Sequence, residues 1–123
     1  MAKKILVVDD EEIFLIALSE ELKKAGFDVV GAKNGEEGVK QVLAEKPDLV
    51  LLDLLMPKVD GITALKMIKN NEEIKNIPVV ILTNFPNELN ISKALSMGVA
   101  DYLVKGNYTM EELITKIKTI IVS

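Results

Sequence analysis

Apolar runs and amphipathic segments alternate along this chain from one end to the other. Short, continuously apolar runs are typical of buried strands, whereas apolar residues that recur every three or four positions indicate helices. The pattern predicts strands at 5–8, 27–32, 48–53, 77–83 and 101–104. It predicts helices at 12–25, from a cap at Asn34 to about 45, at 62–69, at 87–97, and onwards from a cap at Thr109.

Five strand-then-helix repeats of this kind predict a parallel β-sheet covered by helices on both faces. Right-handed crossovers leave few strand orders for such a sheet. We predict the α/β class and a flavodoxin-like (βα)5 three-layer sandwich with strand order 2-1-3-4-5. The second strand, 27–32, is shorter in its apolar run and is expected at an edge. Residues 1–123 are interpreted as a single domain.

Local signals predict where helices end and which faces they bury. Gly26 is expected to stop the first helix, and Thr109 with Glu112 has the spacing of a capping box. The predicted inward residues of the first helix are Ile13, Leu15, Ile16, Leu18 and Leu22. Those of the last helix are Met110, Leu113, Ile114, Ile117 and Ile121.

Composition narrows the chemistry. The chain has no cysteine and no histidine, which excludes disulfides, thiolate metal sites and a histidine base. All of its basic residues are lysines, so arginine clamps on phosphate are excluded as well. The net charge of -4 argues against direct binding of nucleic acid. No segment approaches the roughly 18 apolar residues of a membrane span, so a cytoplasmic location without a membrane partner is expected.

Polar residues stand where four of the predicted strands end. Asp9 and Asp10 follow the first strand, Asp53 ends the third, Thr83 ends the fourth and Lys105 follows the fifth. The carboxyl ends of parallel strands share one edge of the sheet, where open α/β sheets bind ligands. The sequence therefore predicts that these five side chains form one site.

Three carboxylates in one site repel one another unless a cation neutralises them. Mg²⁺ prefers oxygen ligands and is commonly held by one or two carboxylates together with waters. We predict a Mg²⁺ site, with Mn²⁺ as a substitute, in which Asp10 and Asp53 are direct ligands and Asp9 acts partly through water. The backbone carbonyl of Leu55 is predicted to supply a further oxygen.

Asp53 is also the predicted phosphoacceptor. A carboxylate can act as a nucleophile and form an aspartyl phosphate, and Asp53 ends the most apolar strand of the chain. Phosphoryl transfer needs groups that neutralise charge on the phosphoryl oxygens. The Lys105 ammonium and the Thr83 hydroxyl are predicted to contact two of those oxygens.

Five motifs together resemble the receiver domain of two-component response regulators, in order and over essentially the whole chain. They are 7–11 (VVDDE), 51–57 (LLDLLMP), 60–61 (DG), 82–83 (LT) and 98–105 (GVADYLVK). The resemblance implies that Asp53 accepts a phosphoryl group from the phosphohistidine of a sensor histidine kinase or phosphotransfer protein, and that Mg²⁺ is required. It implies a signalling module rather than an enzyme, with no output domain within residues 1–123.

The resemblance also implies a switch. Thr83 and Tyr102 would be its residues, with the Tyr102 ring following the Thr83 hydroxyl as that group moves towards the phosphoryl group. The surface of the fourth helix, fifth strand and fifth helix would change and bind a downstream protein or a second receiver.

Four positions depart from the family pattern. Gly106 follows Lys105 where proline is common, so a cis peptide is not expected there and the loop is expected to be more flexible. Asn84 stands where a smaller residue is common and is expected to crowd the site. Leu55 and Phe85 are apolar where some relatives have polar residues, and neither can orient water. We therefore expect a comparatively long-lived aspartyl phosphate.

Three other functions are compatible with the same predicted fold. A Mg²⁺-dependent phosphatase or phosphotransferase with an aspartyl intermediate needs an acid two residues after its nucleophile, where Leu55 stands. A flavin-binding protein needs a Ser/Thr/Gly-rich phosphate loop after the first strand, where acidic residues occur instead. A pseudo-receiver that serves only for docking stays open, although the complete acidic set argues against it.

Overall fold

The computed structural model describes residues 2–56, 59–84 and 87–122, so Phe85 lies outside the described residues, as does the end of the 51–57 motif. The strands are β1 (Lys4–Val8), β2 (Asp28–Ala32), β3 (Leu49–Leu52), β4 (Val79–Thr83) and β5 (Asp101–Val104). The α-helices are α1 (Glu12–Lys24), α2 (Gly35–Glu45), α3 (Gly61–Lys69), α4 (Glu88–Ser96) and α5 (Met110–Ile121). A short 3-10 helix, Lys105–Asn107, connects β5 to α5.

The strands form one parallel sheet in the order β2-β1-β3-β4-β5, which confirms the predicted fold and the edge position of β2. Strands β1 and β3 are neighbours in which Val8 is paired with Leu52. Beyond that pair, the Asp53 amide donates to the Val8 carbonyl at 3.0 Å. The residues that follow β1 and β3 therefore leave the sheet side by side.

Alternate residues of the strands build one apolar core on each face of the sheet. On one face, Leu6 and Val8 pack with buried residues of α2, α3 and α4. On the other face, Ile5 and Val7 pack with buried residues of α1 and α5. The sheet is thus the middle of three layers, and its buried strands hold the carboxyl edge in place.

Two inward positions predicted for α1 are wrong. Leu15, Leu18 and Leu22 are buried as expected, but Ile13 is 87% exposed and Ile16 is 52% exposed. Each helical residue advances about 100° around the axis, so Ile13 lies on nearly the opposite side of the helix from Leu15. The sheet and α5 cover only one side of α1, and the remaining apolar side chains face outwards.

The helix ends follow the local signals closely. Thr109 and Glu112 make both hydrogen bonds of a capping box at α5, and Gly26 follows α1 with a φ of 99°. Met110 and Ile121 are only partly buried at the two ends of α5. Strand β4 begins at Val79, two residues later than predicted, because the preceding residue is proline and has no N–H to donate to a neighbouring strand.

No helix in the described part of the chain is both long enough and apolar enough to cross a membrane.

The start of α3 touches the strand end that carries Asp53. The Gly61 amide donates to the Leu54 carbonyl at 3.0 Å. A Cβ added at Gly61 would overlap backbone atoms of Asp53 and Leu54. Glycine is needed here because of this close approach of one backbone to another.

Gly61→Ala is expected to lower the free energy of unfolding by about 1–3 kcal/mol, since the added methyl group forces the backbones apart. Urea unfolding followed by circular dichroism measures the change. Gly106→Ala is the matched control, because a Cβ at Gly106 meets no atom within 4 Å. A Gly61→Ala protein as stable as this control would contradict the close approach.

Candidate functional site

The carboxyl edge of the sheet brings the five predicted side chains together. They surround a cleft of about 250 Å³ and the buried floor beneath it. The residues that line the cleft are Asp10, Glu11, Asp53, Leu55, Thr83 and Asn84. Lys105 and Asp9 lie below it, and Lys105 approaches Asp53 to 3.5 Å between Nζ and Oδ2. The predicted juxtaposition is present, whereas the chemical roles of these residues stay predictions.

Asp9, Asp10 and Asp53 form a cluster in which one carboxylate oxygen of each lies within 4.8 Å of the others. Asp9 and Asp53 are only 2% and 4% exposed, whereas Asp10 is exposed. An oxygen-only cluster that is partly buried and partly open fits a hydrated Mg²⁺ ion.

Two protein groups hold the Asp9 carboxylate. Its Oδ1 accepts the Glu11 amide at 2.9 Å, and its Oδ2 is paired with Lys105 at 2.6 Å. Both oxygens are therefore engaged by protein groups. Asp53 is engaged in the same way, but its contact with Lys105 is longer, at 3.5 Å. It stays a prediction that Asp10 and Asp53 are the direct ligands and that Asp9 acts partly through water.

Lys105 is the central cation of the site. Its ammonium contacts Asp9 at 2.6 Å and Glu11 at 2.7 Å, and it lies 4.3 Å from the centroid of the Phe14 ring. Burial alone would lower the pKa of Lys105, but the hydrogen bonds to these two carboxylates and the charges of Asp9 and Asp53 together raise it. The ammonium therefore stays charged at neutral pH.

The backbone after Lys105 continues into Gly106, where proline is common in the family. There is no cis peptide bond among the described residues, as expected with Gly106 at this position. The segment forms a 3-10 turn, and Lys105 is buried within it. The ion pairs hold the lysine in the site although the following residue is glycine.

Asp53 is a carboxylate with a perturbed acidity. Burial raises the pKa of Asp53 from 3.8 to about 6, Lys105 opposes that shift, and the charge of Asp9 adds to it. Burial likewise raises the pKa of Asp9, and the hydrogen bond from Lys105 offsets part of the increase. The free site thus holds more negative charge than Lys105 neutralises, which favours a bound cation.

Thr83 lacks a hydrogen-bond partner in spite of complete burial. The residue is 0% exposed, and its Oγ1 makes no hydrogen bond to any described residue. It also lines the cleft beside Asp53. A buried hydroxyl without a partner costs free energy, so its presence here calls for an acceptor that enters the cleft.

Tyr102 lies on β5, where it is paired with Ile81 two residues before Thr83. Its ring packs on the core formed with α2, α3 and α4, and its hydroxyl is buried without a hydrogen bond of good geometry among the described residues. Burial raises the pKa of Tyr102, and the nearby Asn87 backbone partly offsets this. A partly buried ring beside the core, whose hydroxyl makes no well-formed hydrogen bond among the described residues, is compatible with the predicted switch role.

Sequence analysis missed the role of Glu11. Its carboxylate binds both Lys105, at 2.7 Å, and the Asn84 side-chain amide, at 2.5 Å. The hydrogen bond from Lys105 is the main reason that the pKa of Glu11 is lowered. The run of acids after β1 was the only available signal, and it does not reveal which acid reaches a lysine that is distant in the chain.

Leu55 contributes more than its predicted carbonyl. Its backbone amide donates to Asp53 Oδ1 at 3.1 Å, and its side chain is 50% exposed at the cleft. The amide orients the Asp53 carboxylate, while the role of the Leu55 carbonyl in metal binding stays a prediction.

Comparison with known proteins defines the class of this fold and site. Residues 5–118 match the response regulator receiver domain family, and the chain belongs to that family. The alkaline phosphatase synthesis transcriptional regulatory protein PhoP of Bacillus subtilis (strain 168) is 38% identical over 121 residues, which are 98% of this chain and 49% of that protein. The chain therefore spans about half the length of this curated relative.

Two solved structures extend the comparison. The phosphorylated cyanobacterial phytochrome response regulator RcpA is 32% identical with a TM-score of 0.83, over 98% of this chain and 91% of that one. The BeF3-activated N-terminal receiver domain of Klebsiella pneumoniae RstA is 29% identical with a TM-score of 0.86, over 98% and 99% of the two chains.

Family membership decides between the functions that the sequence left open. Receiver domains are phosphoacceptor signalling modules of two-component systems and not enzymes, which confirms the signalling interpretation over a phosphatase or a flavin-binding protein. Receiver domains in general bind Mg²⁺ at an acidic pocket, and the Asp9, Asp10 and Asp53 cluster is compatible with that property.

Asp53→Asn is expected to stabilise the metal-free protein at neutral pH. Because folding raises the pKa of Asp53 from 3.8 to about 6, the native state binds the proton more tightly than the unfolded chain. The free energy of unfolding therefore falls as pH rises through this interval. The variant should exceed wild type by about 1–3 kcal/mol above pH 6 and lose the advantage below pH 4.

Urea unfolding in EDTA across this pH range measures the difference. Asp28→Asn is the control, because Asp28 is an exposed carboxylate at the opposite, amino end of the strands. Equal stability of wild type and Asp53→Asn at every pH would show that the buried charge carries no penalty.

Proposed function

We propose that this chain is a phosphorylation-activated receiver in which Asp53 accepts a phosphoryl group from a histidine kinase or phosphotransfer protein, with Mg²⁺ bound. One observation carries the proposal. The fully buried Thr83 hydroxyl has no partner among the described residues, and it lines the cleft that Asp53 shares with two more acids above the Lys105 ammonium. A phosphoryl group on Asp53 supplies the acceptor that Thr83 lacks and the anion that Lys105 can pair with.

The transfer follows from the groups present. An Asp53 oxygen forms the new bond to phosphorus while the bond from phosphorus to the donor's histidine nitrogen breaks, and the electron pair of that bond returns to the imidazole. The donor histidine belongs to a partner, since this chain contains none. Burial raises the pKa of Asp53 to about 6 although Lys105 opposes the shift, and this value still leaves Asp53 largely ionised at neutral pH, as a nucleophile requires.

The charge on the phosphoryl oxygens is shared among several groups. Lys105 pairs with one oxygen and Thr83 donates to another. Mg²⁺, or Mn²⁺ in its place, would be held by Asp10 and Asp53 directly, by Asp9 partly through water and by the Leu55 carbonyl. When bound, the metal neutralises the charge that the acids and the phosphoryl group bring together.

The switch uses the two buried hydroxyl groups. Movement of Thr83 towards the phosphoryl group leaves space that the Tyr102 ring enters. Phosphorylation thereby favours one of two packings of β4 and β5 over the other. The changed surface consists of α4, β5 and α5, where Leu89 and Leu95 are 64% and 55% exposed. Exposed apolar residues of this size fit a protein partner or a second receiver.

The outward face of α1 fits the phosphodonor. Ile13 and Phe14 line a groove with Glu11, and Glu11 also lines the phosphorylation cleft. A donor that places its histidine at Asp53 must cover this neighbouring face. The exposure of Ile13 and Ile16, which sequence analysis placed in the core, is explained by such a contact.

In this role, residues 1–123 act as one receiver domain in the cytoplasm and do not themselves bind nucleic acid or a membrane. The RcpA structure is described as phosphorylated and the RstA receiver as BeF3-activated. Beryllofluoride and a phosphoryl donor are therefore suitable probes for this chain.

Incubation with acetyl phosphate and Mg²⁺ is expected to add one phosphoryl group to wild type. Intact-mass spectrometry detects the adduct. Asp53→Asn should acquire none, because the amide is not a nucleophile, and omission of Mg²⁺ should slow the reaction strongly. Absence of uptake by a folded wild-type protein would refute the proposal and favour a docking-only pseudo-receiver.

The phosphorylated form is expected to be comparatively long-lived. Hydrolysis needs a positioned water, and Leu55 offers only an apolar side chain at the cleft. The half-life in Mg²⁺ is read by intact mass after removal of acetyl phosphate. Leu55→Gln should shorten it several-fold by supplying a polar group. Rapid loss from wild type, unchanged in this variant, would contradict the expectation.

A further inference from the structure

We propose that Glu11 is a positioning residue whose carboxylate binds the Lys105 ammonium before phosphorylation, so that an incoming phosphoryl group competes with Glu11 for this cation. The inference rests on the proposed function and adds a competitor built into the site. Glu11 would act through Lys105 and not on the phosphorus itself.

The distances around Lys105 show the competition. Its Nζ lies 2.7 Å from Glu11 but 3.5 Å from Asp53, so the ammonium is bound closely by Glu11 and makes only a longer ion pair with the phosphoacceptor. Lysine has three N–H donors, and Asp9 and Glu11 take two of them. A phosphoryl oxygen on Asp53 therefore shares the ammonium with two carboxylates that already neutralise its charge.

Glu11 is the partner of Lys105 that can leave. The Asp9 side chain is only 3% exposed and keeps a second hydrogen bond inside the protein. The Glu11 side chain is 47% exposed. Once a phosphoryl group is present on Asp53, its negative charge repels the Glu11 carboxylate. Water can solvate that carboxylate when it leaves Lys105.

Asn84 holds Glu11 in the competing position. Its side-chain amide donates to Glu11 Oε1, the same oxygen that binds Lys105. The contact joins the end of β4 to the start of α1 across the cleft that both residues line. Asn84 thus keeps the Glu11 carboxylate close to the Lys105 ammonium.

The test compares beryllofluoride binding to wild type and Glu11→Gln in Mg²⁺. The substitution keeps the shape and removes the charge, and the Glu11 side chain makes no helix-capping bond, so α1 should be preserved. The dissociation constant of beryllofluoride is expected to be about two- to five-fold lower for Glu11→Gln than for wild type. The effect is modest because a partly exposed ion pair such as Glu11–Lys105 is a weak competitor. Chemical-shift changes in NMR spectra report the titration.

Glu12→Gln is the matched control. Glu12 carries the same charge one residue further on, and its carboxylate lies 3.5 Å from Lys33. Removing the Glu12 charge changes the electrostatic potential at the site but leaves Lys105 paired with Glu11. If Glu11→Gln binds no more tightly than Glu12→Gln, or binds more weakly than wild type, the inference is wrong.

A double-mutant cycle of Glu11 and Asn84 distinguishes competition for Lys105 from a purely structural role of these residues. Asn84→Ala should tighten beryllofluoride binding in the wild-type background and have no further effect when Glu11 is already glutamine. Additive effects would overturn the inference. Failure of wild type itself to bind beryllofluoride or acquire phosphate would instead refute the proposed function, and the inference with it.

Discussion

A single buried ammonium holds the site of this receiver together. Lys105 lies within 3.5 Å of three carboxylates that arrive from the ends of two strands and the start of α1. Without it, Asp9 and Asp53 would be buried charges with no protein cation beside them, which a fold of ordinary stability tolerates poorly. Its contacts join Asp9, Glu11 and Asp53 in one cluster of charges.

The buried sheet holds these charged side chains close together. Nearly all residues of β1, β3 and β4 are buried between two layers of helices, and their register fixes where the acids emerge. Gly61 brings α3 against the backbone of Asp53 from the other side. The closely packed sheet and α3 therefore hold the acids of the site near one another.

The site is arranged for a change of partners. Thr83 has a donor with no acceptor among the described residues, while Lys105 is shared by three carboxylates. The proposed phosphoryl group on Asp53 would supply the acceptor that Thr83 lacks. Family membership agrees with this view, since receiver domains are phosphoacceptor modules.

The sequence by itself determined the class of fold, the strand order and the set of side chains at the carboxyl edge, because strand periodicity and crossover rules are local and general. It also anticipated the capping box of α5 and the trans backbone at Gly106. It could not determine which side of α1 is covered, since that depends on where the sheet and α5 lie. Only the tertiary structure revealed the pairing of Glu11 with Lys105 and Asn84, because ion pairs between residues distant in the chain depend on side-chain reach in three dimensions.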